Sequence, residues 1–208
     1  MPNDPPLRHP IFTKIMSFIF GHISPRDFPI FWNGMKLYYN PNYNTNRINT
    51  SKLNDFSQFF RNVNFQVAPY FTTPQMTRAD QIFYNNSQLK IVPNPIYASN
   101  CIMWGNAFYN CTALEYIRFE GEIIETINFA QSGNLTTDSV LSIVYALKDG
   151  LSKSVVFKSV TGIDNILANH VRLNQAGKGL EVCNAGDSGD LGTIPQYVTN
   201  KGWTITQV

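Results

Sequence analysis

Charge is what this chain has least of: Asp, Glu, Lys and Arg together make up 14% of its 208 residues, and no stretch holds five of one sign. At a net charge of +2 it has neither the basic field that draws nucleic-acid phosphates nor the cationic face that grips an anionic bilayer, so neither is an expected partner. Cysteine is limited to Cys101, Cys111 and Cys183. An odd number at no metal-ligand spacing gives no ground for a zinc site or a disulfide framework, and no metal or cofactor is expected. Long apolar runs are missing too. Ile15 to Phe20 is too short to span a bilayer and is followed by no small-residue cleavage site, so neither a membrane helix nor a signal peptide is expected. No phosphate-cradling glycine loop and no Cys/His cluster is present.

What the chain does have is aromatic residues, at 13%, and abundant asparagine. Both recur with a period. From Met76 the chain reads Ala79, Ile82-Phe83, Tyr84-Asn85-Asn86, Leu89, Val92 and Pro93. From Cys101, 25 residues on, the same register returns as Trp104, Ala107-Phe108, Tyr109-Asn110-Cys111, Leu114, Ile117 and Arg118. A weaker earlier copy runs Leu53, Phe56, Phe59-Phe60, Arg61-Asn62, Phe65, Ala68 and Pro69 once one residue is removed from the turn after Asn62. Three copies are about the minimum at which repeats of this length cover one another's apolar faces. The rings of Phe83 and Phe108 are expected to stack, and buried Asn86 to satisfy backbone groups that lack partners.

The motif Phe-Tyr-Asn-Cys-Thr-x-Leu-x-x-Ile, with apolar residues seven, four and one positions before the Phe, resembles the BspA-type leucine-rich repeats of bacterial surface proteins and of phage tail-associated proteins. The likeness covers about residues 53 to 150 and the closing Lys201-Gly202-Trp203-Thr204-Ile205-Thr206. It implies an α/β fold: a short right-handed leucine-rich-repeat solenoid with a C-terminal helix and an N-terminal extended arm and hairpin cap. The division expected is 1–50 arm and hairpin cap, 51–150 repeats with a capping helix, and 151–208 a strand and helix cap.

Along the chain, six prolines in the first thirty residues limit that segment to an extended arm. Asn33-Gly34 between apolar runs predicts a hairpin over Phe28 to Tyr39. Asn40 to Thr50 reads as a loop. Strands are expected within Leu89 to Pro93, Leu114 to Phe119 and Glu122 to Phe129. A helix is expected over Thr137 to Lys148, with Thr136 or Thr137 as N-cap and Gly150 past its end. Beyond it come a strand over Ser154 to Val160, a helix over Ile163 to Leu173, a loop over 174–193 with a strand at Leu180 to Cys183, a helical turn over Ile194 to Thr199 and a strand over Trp203 to Val208.

Few residues suggest catalysis. Gly186-Asp187-Ser188-Gly189 matches the sequence around the nucleophile of trypsin-like proteases, but Asp190 stands where that pattern has another glycine. The only histidines are His9, His22 and His170, and the chain has no room for that family's paired barrels. Asp187, Asp190 and Glu181 lack the spacing of a calcium loop. The expectation is a non-enzymatic virion structural or receptor-binding protein, joined to other virion proteins by its arm, oligomeric, and presenting its surface to a host glycan or protein. Tyr84, Trp104, Tyr109 and Tyr116 are the binding residues expected, because rigid aromatic rings offer large area at little entropy loss. A bacterial surface adhesin is the alternative. Behind it stands a glycan-acting hydrolase using Asp187, Asp190 and His170.

Overall fold

The computed structural model describes residues 50–63 and 65–208. The arm and the hairpin expected at Phe28 to Tyr39 lie outside these, as does all of the asparagine-rich loop but Thr50. The elements in order are β1 (Ile96–Tyr97), β2 (Phe119–Glu120), β3 (Ile127–Phe129), α1 (Thr137–Tyr145), β4 (Ser154–Phe157), α2 (Thr161–Leu167), β5 (His170–Leu173), β6 (Leu180–Cys183), α3 (Ile194–Asn200) and β7 (Thr204–Gln207). They form three separate sheets: a parallel pair β1-β2, a parallel trio β3-β4-β7, and an antiparallel pair β5-β6.

This corrects the expected leucine-rich-repeat solenoid. The described residues are mixed α/β, with small separate sheets of both directions and no continuous strand ladder. The cause is local. Each repeat copy carries two left-handed residues four apart: Gln58 and Asn62, Gln81 and Asn85, Asn106 and Asn110, with φ between 53° and 61°. Two such residues in one short segment bend the backbone into turns rather than a strand or a helix. Where strands were expected, single bridges join Val67 to Ile91 and Ile91 to Tyr116. Pro69 and Pro93, two residues beyond the first two bridge positions, have no N–H with which to extend the pairing.

The turn segments nonetheless bond to one another. The amides of Phe56, Gln58, Phe60 and Asn62 donate to the carbonyls of Arg78, Asp80, Ile82 and Tyr84, and those of Ala79, Gln81, Phe83 and Asn85 donate to Met103, Gly105, Ala107 and Tyr109, all at 2.8–2.9 Å. Beneath them runs a file of phenyl rings. Phe60, Phe83, Phe108, Phe129 and Phe157 stack with centroids 5.4, 6.0, 4.6 and 6.2 Å apart and interplanar angles of 10–24°. All five are buried. Beside this file, Asn86 Nδ2 donates to the carbonyls of Phe60 and Phe83, and Cys111 Sγ takes the corresponding place, donating to Phe83 O at 3.1 Å. Burial pushes the Cys111 thiol up to about 12, so it stays protonated and able to donate.

Helix α1 closes one side. Thr136 caps it, its hydroxyl accepting from Ser139 N, and Val140, Leu141, Ile143 and Val144 are buried. It ends earlier than expected, at Tyr145, because Leu147 and Lys148 turn away to pair with Ile123. The helix also serves as a substitute strand: Ser139 Oγ accepts from Ile117 N at 3.0 Å and donates to Glu115 O, and Ser142 Oγ accepts from Phe119 N at 2.9 Å. Trp203 is buried with Nε1 donating to Lys148 O at 2.6 Å, which pins the chain before β7 to the segment that follows α1.

The helix expected over Ile163 to Leu173 is divided. Asn169 Nδ2 donates to the carbonyls of Asn165 and Ile166, closing α2 after Leu167, and His170–Leu173 becomes β5 paired with β6. Among the described residues no helix is long and apolar enough to cross a membrane.

Two stability outcomes follow. Phe108→Ala removes a ring from the middle of the file and is expected to cost about 3–5 kcal/mol by denaturant unfolding. Ser139→Ala leaves the Ile117 amide buried without a partner and is expected to cost about 1–3 kcal/mol, with amide exchange at Ile117 rising ahead of the rest of the core.

Candidate functional site

Two groupings of polar and aromatic side chains reach the surface. The first is built by the turn segments. The left-handed backbone at Asn62, Asn85 and Asn110 turns the chain at the same place in each copy, and the residue before each asparagine is planar: Arg61, Tyr84 and Tyr109. The Tyr84 and Tyr109 rings stack at 4.9 Å and 13°, and the Arg61 guanidinium lies 4.9 Å over Tyr84. Beside them Asn110 Nδ2 donates to Asn85 Oδ1 at 2.6 Å and Asn85 Nδ2 to Asn62 Oδ1 at 2.9 Å. Tyr109 is 44% exposed, and Asn62 and Asn85 are exposed. The row stops at Asn110, whose amide donates to the Gln131 side chain rather than to a further backbone carbonyl.

Of the four binding residues expected, the structure brings Tyr84 and Tyr109 together. Trp104 is only 4% exposed, stacked on Phe108 and edge-on to Phe119, which places it in the core. Tyr116 is half-buried on the bridged segment beyond the turn, opposite Ile91. Arg61 and Asn62 complete the row and were not singled out as binding residues. Their signal was present, since aligning the weak first copy sets Arg61-Asn62 over Tyr84-Asn85 and Tyr109-Asn110.

The second grouping surrounds Asp190. Its carboxylate accepts from Gly186 N and Gly192 N, both at 2.8 Å, and from His170 Nδ1 at 2.9 Å, and Cys183 Sγ lies 3.9 Å away. His170 and Cys183 are direct partners in the β5-β6 register, with Arg172 and Glu181 paired alongside at 2.7 Å. The backbone donors of Gly186 and Gly192, helped by His170, hold the Asp190 carboxyl down at about 2. An ionised carboxylate only accepts, so His170 Nδ1 carries the proton.

Cysteine, histidine and aspartate here have the membership of a nucleophilic set but a different wiring. The thiol faces the carboxylate, and burial together with the negative charges of Asp190 and Asp187 raises the Cys183 pKa, against formation of the thiolate. Ser188 makes no hydrogen bond to His170 among the described residues. Asp187 accepts from Asn184 N within its own turn, and Gly186 and Gly189 sit at φ of 82° and 78°. Among the described residues no group of three His, Cys, Asp or Glu side chains is arranged to hold a metal ion. Nothing in the sequence pointed to the Cys183 to Asp190 approach, which depends on a hairpin register that the sequence reading had replaced by a helix.

No protein-family model, no curated protein and no solved structure matches this chain.

Because the folded-state pKa of Asp190 lies below its ordinary value, the stabilisation that it gives the 184–192 loop is complete above 3.8 and is lost as pH falls toward about 2. The protection of the Gly186 and Gly192 amides, taken as exchange by NMR relative to the intrinsic rate at each pH, is expected to fall across that interval before that of the phenyl-file amides.

Proposed function

We propose that this chain is a non-enzymatic binding or structural module, a component of a phage particle that offers the tyrosine and asparagine row to a glycan or protein of the host surface and is joined to other virion proteins through residues 1–50. The observation that carries the binding reading is the row itself. Planar side chains at a regular step stand on backbone that is hydrogen-bonded from copy to copy and backed by the buried phenyl file. Such a surface loses little entropy on binding, because its side chains are already ordered by one another. The phage setting rests on the resemblance of Phe-Tyr-Asn-Cys-Thr to tail-associated repeats.

A catalytic reading has less to draw on. Asp190 is occupied by four donors, and Cys183 is held as a thiol by burial and neighbouring carboxylates. That chemistry fits a loop anchor.

Purified protein is expected to bind host cells, to lose at least tenfold in affinity on Tyr109→Ala, and to keep it on Asp187→Ala. Turnover of a host polysaccharide that disappears with Asp190→Ala or Asp187→Ala overturns the non-enzymatic reading. Mass spectrometry of purified particles is expected to detect the polypeptide; its absence removes the virion assignment.

A further inference from the structure

We infer, granted the binding-module reading above, that the row formed by Arg61, Asn62, Tyr84, Asn85, Tyr109 and Asn110 takes an extended, uncharged, β-linked hexose polymer lying along it, one sugar to each rung. Tyr84 and Tyr109 turn their faces to one another, and Arg61 covers the far face of Tyr84. The parts left to a ligand are therefore ring edges, hydroxyls and, at the end of the row, the outer face of Tyr109. Neither phenol oxygen has a hydrogen-bond partner among the described residues, and Tyr109 is 44% exposed. Alongside, Asn85 and Asn110 each donate one hydrogen bond up the row, and a primary amide has two N–H groups. Each of these keeps one donor in reserve, and Asn62, which only accepts within the row, keeps both.

The surface is thus a comb of three rungs, each with an amide N–H, of which Tyr84 and Tyr109 add a hydroxyl and Arg61 a guanidinium. The step is 4.9 Å on the aromatic side, from guanidinium to ring and from ring to ring. An extended β-linked hexose chain advances by nearly the same step per sugar and, although alternate sugars are turned over, both edges of each sugar carry hydroxyls able to donate and to accept, so every rung meets one. A protein strand does not fit the spacing: at about 3.3 Å per residue its same-face side chains recur every ~6.6 Å, and they fall out of phase with the comb within two rungs. The single cation of the row lies over Tyr84 at one end, which gives a polyanion nothing to follow along the remaining rungs. The Asn62 and Asn85 amides donate to the Tyr84 and Tyr109 carbonyls, so the spacing is fixed by backbone and does not depend on the ligand.

Full-length protein titrated with β-linked gluco-oligosaccharides and N-acetylglucosamine oligomers of increasing length, by calorimetry or NMR, tests this. Affinity is expected to rise at least tenfold from one sugar to three and less than twofold beyond, because the row has three rungs. The double variant Tyr84→Phe with Tyr109→Phe keeps the stack and loses the hydroxyls; it is expected to weaken trimer binding about tenfold. Affinity independent of length, an unaffected double variant, or preference for polygalacturonate over the neutral oligomers overturns the inference. So does a protein that binds host cells through Tyr109 yet takes no saccharide, an outcome that leaves the binding-module reading standing. Absence of any cell binding removes that broader reading itself.

Discussion

Five stacked phenyl rings are the constraint on which the remainder of this structure depends. Phe60, Phe83, Phe108, Phe129 and Phe157 come from backbone of quite different kinds: the first three from turn segments, the fourth from β3 and the fifth from β4. A ring that must lie parallel to its neighbours within about 6 Å fixes how far apart successive chain segments can sit, and that distance also suits backbone hydrogen bonds between them. Burial and hydrogen bonding therefore select one spacing. The surface row of Arg61, Tyr84 and Tyr109 is the outward copy of that spacing, one residue beyond Phe60, Phe83 and Phe108.

Polar groups near the file are satisfied by whatever side chain the position offers. Asn86, Cys111 and Ser132 each donate to a backbone carbonyl in turn, an amide, a thiol and a hydroxyl doing the same work. On the α1 side, Ser139 and Ser142 do for the 115–119 segment what a neighbouring strand would do. The Asp190 loop follows the same rule at the surface, where one carboxylate gathers two backbone amides and an imidazole.

The parts of this structure that were legible in the sequence are those with a period. The 25-residue offset placed Phe83 over Phe108 and Asn86 beside Cys111, and the apolar spacing from Val140 to Leu147 located α1. What the period did not reveal was backbone conformation. Asparagine and glutamine at Gln58, Gln81 and Asn106 take left-handed angles that apolar spacing does not register, and within the segments expected to be strands Ile91 and Tyr116 form only lone bridges. Beyond Ser154 no repeat guides the reading. His170–Leu173 continues an apolar spacing compatible with a helix, and only the Asn169 cap and the pairing with β6 decide for a strand. Trp104 was misplaced although the repeat aligns it with Phe56 and Ala79, both buried, because its aromatic character was weighed above its register.

Gln207 stands opposite Phe157 in the β4-β7 register, the position at which a sixth ring would fall. Its amide instead donates to Asp164 at 2.6 Å. A hydrophilic side chain at that point ends the phenyl axis, and leaves no apolar seat on which a further ring could stack.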